Sequence, residues 1–326
     1  MSTRAALLVA LVVAVAVVIG LAVGSVPLSL DALRDALLGQ GDPVVRAILW
    51  DLRLPRVALG LVVGAGLALS GGAMQATLRN PLAEPYLLGV SGGAAVGAVL
   101  ASVAGLLAPT VVPLAAFLGA LGAVALVLAV ARAAGGASDP RILVMAGVIV
   151  GAFCTAAIMV ALATAPEGTV RGALWWMMGS LSDATWADVR WVGAYVAVGG
   201  ALLLWLGRDL DVLALGEEPA AALGLDVDRV TRRSFLIAAL VAAATVAGAG
   251  LIGFVGLVVP SLVRTLGITR VRPALALAAG VGGALVVLAD AVARRVVPPA
   301  ELPLGAVTAL LGVPFFVWRL RAAAAR

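Results

Sequence analysis

The sequence predicts an all-α, polytopic membrane protein with one transmembrane domain over residues 1–326. Of its 326 residues, 63% are hydrophobic and 12% are charged, whereas a soluble domain carries about 25% charged residues. Many separate apolar stretches reach the roughly 20 residues that a helix needs to cross a bilayer. The basic residues are all arginine. A lipid membrane is therefore the expected environment of the chain.

Ten apolar segments are expected to cross the membrane. They occupy 5–24, 57–78, 88–108, 111–131, 142–165, 189–206, two parts of 234–268, 273–293 and 303–320. The first run is longer than the apolar core of a typical signal peptide, so an uncleaved helix is expected there. One helix over 234–268 would be about 50 Å long, which exceeds the bilayer core. Several residues offer places to divide it: Gly248, Gly250, Gly253, Gly256 and Pro260.

The distribution of arginine supports this number of crossings. With a cytoplasmic start, ten crossings place fourteen arginines in the cytoplasm and eight outside, as the positive-inside rule favours. Both termini are then cytoplasmic. Segments 56–82 and 233–262 each combine an apolar helix, a glycine-rich end and a proline. They run in opposite directions in this topology, which suggests an inverted repeat, although shared composition could also produce the match.

The residue types that are missing exclude several kinds of chemistry. The chain contains no lysine and no histidine, so it lacks the P-loop lysine, histidine metal sites and histidine-activated nucleophiles. Its single cysteine, Cys154, excludes a disulfide framework and is expected to be a small core residue. No cofactor is expected. The net charge of +5 follows from membrane topology, so it does not indicate a nucleic-acid partner.

The stretch RNPLAEPYLLGVSGGAAVG at 79–97 interrupts two apolar segments. Pro81 and Pro85 prevent the preceding helix from continuing. Four glycines follow, at 89, 92, 93 and 97, and small residues let transmembrane helices approach closely. Composition alone predicts a tight cytoplasmic turn before a closely packed helix.

Four longer segments carry a family resemblance. They are LRLPRVALGLVVGAGLALSGGAMQATLRNPLAEPYLLGVSGGAAVG at 52–97, WWMMGSLSDATW at 175–186, GFVGLVVPSLVR at 253–264 and ADAVARRVVPPAELPLGAVTALLGVPFFVW at 289–318. In this order they resemble the FecCD family of ABC-importer permeases, which carry iron–siderophore complexes, haem or cobalamin across bacterial inner membranes. The resemblance implies ten helices per subunit and a homodimer around a central path. It also implies two ATP-binding cassette ATPase subunits and an extracytoplasmic substrate-binding protein as partners.

The resemblance also implies where the path is gated. It places Asn80 and Pro81 beside the path, near the cytoplasmic gate. A second part of the gate aligns with Ser138, Asp139 and Pro140. Asp139 and Pro140 depart from the small hydroxyl residues that the cobalamin permease carries there, so the resemblance does not predict the polarity of the gate.

The cytoplasmic loop at 207–233 is the expected attachment point of the ATPase. Pro219 suits the first position of a helix, Glu217 and Glu218 suit its N-terminus, and Gly224 suits its end. These signals predict a short helix over 219–223, with Asp226 capping the next helix. The alternative is a solvated connector. In the resembling family this loop holds coupling helices, and small residues would permit a close fit in an ATPase cleft. The expected coupling residues are Glu217, Glu218, Pro219, Ala220, Ala221, Ala222, Leu223 and Gly224.

Three arginines are expected on the extracytoplasmic side, where the positive-inside rule does not favour them. Their presence there therefore indicates a specific role. In the resembling family, arginines at the positions of Arg53, Arg56 and Arg294 receive glutamates of the binding protein. The guanidinium fork suits carboxylates. The alternative is that these side chains extend to the outer lipid headgroups.

The cargo is the least specified feature. A ferric siderophore is the common cargo of the resembling family, so it is the first expectation. Cobalamin is the alternative, from chain length and the 289–318 match, and haem is disfavoured because histidine is absent. A proton-coupled secondary transporter would need buried ionisable groups. Asp290, near a helix end, is one of few candidates, so a secondary transporter is a distant alternative, and a membrane enzyme is more distant still.

Overall fold

The computed structural model of the chain describes residues 3–24, 26–136, 139–298 and 300–324. Within those ranges it contains α-helices, two short helical turns and no β-strand. The helices are α1 (Thr3–Ala22), α2 (Leu30–Leu37), α3 (Pro43–Ala47), α4 (Leu54–Thr77), α5 (Val90–Val103), α6 (Val111–Ala133), α7 (Pro140–Ala163), α8 (Glu167–Met177), α9 (Trp186–Leu213), α10 (Glu217–Ala222), α11 (Val227–Ala249), α12 (Val255–Arg264), α13 (Val271–Ala293) and α14 (Leu304–Ala324). The prediction of an all-helical fold is confirmed.

Seven helical units among the described residues are long and apolar enough to cross a membrane. They are α1, a continuous unit over Pro43–Thr77, α6, α7, α9, α11 and α13. Three shorter apolar helices are α5, α12 and the first part of α14. These units coincide with the predicted segments. Length by itself qualifies seven of them, so crossing by the three shorter helices stays a prediction.

The second crossing unit begins earlier than predicted. A π-helical turn, Ile48–Arg53, joins α3 to α4 without a break, so the unit starts at residue 43 instead of 57. Asp42 caps it by accepting a hydrogen bond from the Val44 backbone N–H at 2.8 Å. Pro43 occupies the first helical position, where its missing N–H costs nothing. These capping residues lie outside the apolar run, which is why hydrophobicity alone placed the start too late.

The predicted division of 234–268 is confirmed, and residues 250–254 separate α11 from α12. Gly250 ends α11 with φ +70°, a value that favours glycine, and Phe254 precedes α12 in the left-handed region with φ +67°. The Tyr86 hydroxyl accepts a hydrogen bond from the Ile252 N–H at 3.1 Å and donates one to the Ile252 carbonyl at 3.0 Å. The backbone N–H and carbonyl of Ile252 in this break therefore have a hydrogen-bond partner within the protein. Such partners are needed where no water is available, as inside a bilayer.

Pro260 does not divide the segment but lies inside α12. A proline within a helix leaves the carbonyl four residues earlier without its usual donor. Here that carbonyl belongs to Gly256, and the side-chain amide of Gln75 approaches it at 3.4 Å and the Leu257 carbonyl at 3.2 Å. Gln75 of α4 thus takes the place of the missing backbone donor.

Helix α4 lies at the centre of the bundle and is closely surrounded. A Cβ atom on Gly64 would collide with the Gly282 carbonyl of α13, and one on Gly71 would collide with the Gly256 carbonyl of α12. Gly93 and Gly97 act in the same way between α5 and α6, whereas Gly89 and Gly92 lie against Val150 and Cys154 of α7. The prediction of close helix packing at these glycines is confirmed.

Candidate functional site

The two ends of the bundle carry the candidate functional residues. We name the two ends, the coupling end and the docking end, after the roles expected from the sequence. The predicted 207–233 loop is shorter in the structure, because 207–213 belong to α9 and 227–233 to α11. The coupling end holds the remaining residues 214–226, the turn at 79–86 and the start of α13. The docking end holds Arg53, Arg56 and Arg294. Helices α4, α9 and α13 connect the two ends.

At the coupling end, the predicted short helix exists but begins two residues earlier. Helix α10 spans Glu217–Ala222, follows Gly216 at φ +115° and is followed by Gly224 at φ +84°. Two carboxylates in its first turn suit the positive end of a helix. Pro219 is its third residue, where no intrahelical N–H is required. Asp226 caps α11 as predicted, by accepting a hydrogen bond from the Arg229 N–H at 3.0 Å.

Helix α10 offers a small, mostly apolar surface to solvent. Ala220 is fully buried against the bundle, whereas Ala221, Ala222 and Leu223 are exposed. The Leu223 side chain is 67% exposed and Leu215, just before the helix, is 63% exposed. Exposed apolar side chains gathered on a short projecting helix are typical of a protein contact surface.

An ion pair joins α10 to the turn at 79–86. The Arg79 guanidinium donates a hydrogen bond to the Glu217 carboxylate. Arg79 has φ +50°, an uncommon conformation for a residue other than glycine. The Asn80 side-chain oxygen stabilises the turn by accepting from the Leu82 N–H at 2.9 Å, and Pro81 is exposed. The sequence predicts the turn, but nothing in residue spacing predicts its contact with α10.

Burial affects the carboxyl group of the same turn. Glu84 is half-buried, and this burial raises the pKa of its side chain above the ordinary value. The charged form of a carboxyl group loses hydration when it is buried. The turn therefore contains an acid that is easier to protonate than a solvated one.

The second expected part of the gate is a helix start. Asp139 caps α7 by accepting a hydrogen bond from the Arg141 N–H at 2.8 Å, and Pro140 is the first residue of that helix. Ser138 lies outside the described residues. Within the described ranges, no hydrogen bond or ion pair joins Asp139 to Asn80 or to α10.

At the docking end, Arg56 binds two carboxylates from distant parts of the chain. Its guanidinium contacts Asp290 at 2.8 Å and Glu301 at 2.6 Å, with two hydrogen bonds or more to each. Arg294 pairs with the other oxygen of Asp290 at 3.1 Å. Asp290 is 3% exposed. A buried carboxylate shared by two arginines is well compensated, because charge-assisted bidentate pairs are strong.

The other arginines hold the end of α1. Arg53 donates hydrogen bonds to the carbonyl oxygens of Leu21, Ala22 and Val26. Arg294 donates to Val23 at 2.7 Å and Gly20 at 3.0 Å. The last carbonyls of a helix have no intrahelical hydrogen-bond donor. At the end of α1, the guanidinium groups of Arg53 and Arg294 are the donors. Arg53 and Arg294 are only 6% and 5% exposed.

The structure thus brings the three expected docking arginines together, but their guanidinium groups bind carbonyl and carboxylate oxygens of the same chain. Each guanidinium group already has partners within the chain, and docking of a binding protein at these arginines stays a prediction. Glu301, whose side chain is 31% exposed, is the accessible member. Sequence reasoning noticed Asp290 and missed Glu301. The spacing of Asp290 and Arg294, four residues apart on one helix, is the signal that indicates their pairing.

Comparison with known proteins agrees with this architecture. The FecCD transport family matches residues 11–322. A cobalamin import system permease protein, BtuC of Halobacterium salinarum, is 43% identical over 280 residues, covering 85% of this chain and 74% of that protein. The vitamin B12 import system permease protein BtuC of Yersinia pseudotuberculosis is 40% identical over 280 residues, covering 84% of this chain and 82% of its own length.

Solved structures share the fold. A metal-chelate type ABC transporter in an inward-facing conformation superposes with a TM-score of 0.86 at 31% identity, covering 94% of this chain and 96% of that chain. PsaBC of Streptococcus pneumoniae, at 17% identity and a TM-score of 0.61 over 84% of this chain and 92% of its own, shares the fold alone. The fold and these relatives define the membrane subunit of an ABC importer, a transport component. The chain belongs to the FecCD transport family.

Proposed function

We propose that this chain is the permease subunit of a binding-protein-dependent ABC importer in a bacterial inner membrane, with ten crossings and both termini cytoplasmic. Two ATPase subunits on the cytoplasmic side supply the energy by hydrolysing ATP. The observation that carries the proposal is α10, a short helix that projects small and apolar side chains from one end of the bundle. A second copy of the chain completes the path.

The coupling step follows from the ion pair between Arg79 and Glu217. An ATPase that holds residues 217–224 would move α10, and Arg79 would carry that movement to the turn at 79–86. Asn80 and Pro81 lie in that turn, beside the proposed path. Ser138, Asp139 and Pro140 precede α7 and form the second proposed gate element. The raised pKa of the Glu84 carboxyl marks the same turn as a site of unusual burial.

The proposed homodimer is supported by an exposed apolar face on α7. Met145, Ile149, Phe153 and Val160 are all exposed, and a second copy of the chain would cover this face in the proposed dimer. The exposed Leu310 and Leu311 of α14 offer a second apolar face. Transmembrane helices associate by such packing surfaces.

The inverted repeat is also proposed. Helices α4 and α11 contact each other and are linked by the Ser70 hydroxyl, which donates to the Ala238 carbonyl at 2.6 Å. Each is followed by a break in the α-helix and a shorter helix, α5 or α12, and the first break includes the short helical turn Pro85–Leu88. Tyr86 after α4 binds Ile252 after α11, so the two breaks meet.

Docking of the binding protein is proposed at Arg56 with Arg53 and Arg294. Because Glu301 is the accessible partner of Arg56, an incoming glutamate would compete with Glu301 for the guanidinium group. Arg53 and Arg294 would act mainly by holding Arg56 and α1 in place. Docking should weaken as salt increases, because screening acts on exposed charges.

For the cargo, the relatives favour the cobalamin alternative over a ferric siderophore. Two relatives at 43% and 40% identity are named as cobalamin or vitamin B12 permeases, and the similar solved structure is of the metal-chelate type. Both cargoes are metal chelates.

The test is uptake by liposomes that contain the permease, its ATPase and its binding protein. We expect ATP-dependent accumulation of labelled cobalamin, no uptake without the ATPase and no ATP hydrolysis by the permease alone. Uptake of a ferric siderophore in place of cobalamin would reverse the cargo assignment. Uptake that needs a proton gradient and no ATPase would replace the importer with a secondary transporter.

Two variants test the proposed surfaces in the same liposomes. Ala221→Arg should abolish ATPase attachment, because a long charged side chain does not fit a cleft for small residues, whereas Ala134→Arg after α6 should leave attachment unchanged. Arg56→Gln should weaken binding-protein affinity at low salt, with the exposed Arg295→Gln as its matched control. Normal attachment for Ala221→Arg would remove the coupling assignment, and equal affinities for the two arginine variants would remove the docking assignment.

A further inference from the structure

A cavity lies at the coupling end between α9 and α13. Its volume is about 630 Å³, within the range of small-molecule sites. Its lining consists of Leu204, Arg208, Asp211, Arg270, Arg272, Pro273 and Ala276. Basic side chains therefore form one part of the wall and apolar side chains the other.

Two contacts hold the walls of this cavity at a fixed distance. Gly207 of α9 lies against the start of α13, where a Cβ atom would come within 2.8 Å of the Arg272 Cβ. Asp211 of α9 accepts a hydrogen bond from the Val271 N–H at 2.7 Å. Gly207 allows the two helices to approach closely, and the Asp211 carboxylate fixes their register. The cavity is therefore a fixed feature of the helix packing.

The cavity carries an excess of positive charge. Arg208, Arg270 and Arg272 are exposed, and within the described part of the chain no carbonyl or carboxylate accepts a hydrogen bond from their guanidinium groups. The start of α13 adds partial positive charge and has no acidic residue in its first turn. Asp211 is the one carboxylate in the lining, and it already binds a backbone N–H. An anion would relieve this repulsion.

The apolar wall restricts which anion fits. Leu204 precedes Arg208 on α9, and Pro273 and Ala276 follow Arg272 on α13, so these apolar residues lie further along the helices from the coupling end than the arginines. A free inorganic anion would leave this wall uncovered. Basic pockets between transmembrane helices suit phospholipid headgroups.

We propose that this cavity binds one anionic phospholipid, with its phosphate against Arg208, Arg270 and Arg272 and an acyl chain against Leu204 and Ala276. Its lining includes no residue of α10 and none of the three docking arginines. The proposed orientation of the chain in the membrane affects only which leaflet supplies the lipid. Binding would fasten the start of α13 to α9, beside the loop that is proposed to receive the ATPase.

The test is native mass spectrometry of the full chain, purified in detergent, with phosphatidylglycerol or phosphatidylcholine added. We expect one phosphatidylglycerol retained per chain, at least tenfold more strongly than phosphatidylcholine. The variant R208Q/R270Q/R272Q should lose this preference. The control R132Q/R232Q/R233Q removes the same number of arginines outside the cavity and should retain it.

Further arms separate the remaining explanations. Ala276→Trp fills the apolar wall without removing charge and should also lose the lipid, which keeps the proposal testable if the triple variant does not fold. Inorganic phosphate at millimolar concentration should not displace phosphatidylglycerol. Equal retention of the two lipids, equal loss in both triple variants or displacement by phosphate would overturn the proposal. Loss of the lipid on adding the ATPase subunit would assign the cavity to that partner and overturn it as well.

Discussion

Arginine side chains have opposite surroundings at the two ends of this bundle. At the docking end, Arg53 and Arg294 are almost completely buried and bind the last carbonyls of α1. At the coupling end, Arg208, Arg270 and Arg272 are exposed around an open cavity. The same residue type is thus structural at one end and available to a ligand at the other.

The comparison teaches that charge counting along the chain does not separate these roles. Buried arginines need internal acceptors, since an unpaired buried charge is very costly. Asp290 and Glu301 provide those acceptors at the docking end. At the coupling end, Arg79 and Glu217 form a surface ion pair between distant elements, and such pairs contribute little to stability. We therefore expect mutations of charged residues to lower the free energy of unfolding strongly at the docking end and only slightly at the coupling end.

The largest expected effect is that of Asp290→Ala. It removes the carboxylate shared by Arg56 and Arg294, and breaking a buried ion pair from one side costs about 3–5 kcal/mol. Chemical unfolding of the detergent-solubilised protein measures this difference. Glu217→Ala is the control at the other end and should cost at most about 1 kcal/mol. Similar losses for the two variants would erase the proposed contrast between the ends.

The second effect is that of Arg53→Gln. It leaves carbonyls of α1 without their donor, and each unsatisfied buried polar group costs about 1–3 kcal/mol. Hydrogen exchange should show faster opening around Leu21 and Ala22, with the rest of the bundle protected. Arg208→Gln, at an exposed arginine, should change stability by no more than about 0.5 kcal/mol. Unchanged exchange near Leu21 would show that Arg53 does not hold the end of α1.

The third effect concerns the pair of Arg79 and Glu217. Glu217→Arg should cost about 0.2–1 kcal/mol, because the pair is exposed and like charges replace opposite ones. Adding Arg79→Glu should restore the loss, and high salt should reduce both changes. ATP-dependent uptake by the single and double variants then shows whether the pair also transmits movement. A double variant no better than the single one in stability would exclude the interaction.

The smallest expected effect is a pH dependence at Glu84. Its pKa is raised in the folded state by burial, so the unfolded chain loses its proton first as pH rises. The contribution of this group to stability is therefore greatest below its ordinary pKa and declines as pH rises towards the folded value. Glu84→Gln should lack this decline in unfolding experiments between pH 4 and neutrality, whereas Glu217→Gln should keep it. Identical pH profiles for wild type and Glu84→Gln would refute the assignment.

Much of the fold could be predicted from the sequence, because its signals are local. Apolar length predicted the long membrane helices, and the glycines between 248 and 256 marked the region of the break between α11 and α12, although Pro260, also a candidate, lies inside α12. The carboxylates and Gly224 located α10 to within two residues. These predictions depend on hydrophobicity, backbone dihedral preference and the helix dipole, all of which act over a few neighbouring residues.

Only the tertiary structure decided what the charged side chains bind. Arg56 meets Glu301 across 245 positions, and Arg79 meets Glu217 across 138. Arg53 and Arg294 lie on separate elements yet bind the end of α1 together. A guanidinium group can donate hydrogen bonds to a carboxylate, a carbonyl or a lipid phosphate with similar geometry. Which of these it binds depends on which helices the packing of small residues such as Gly64 and Gly207 brings together, and that packing has no local signature in the sequence.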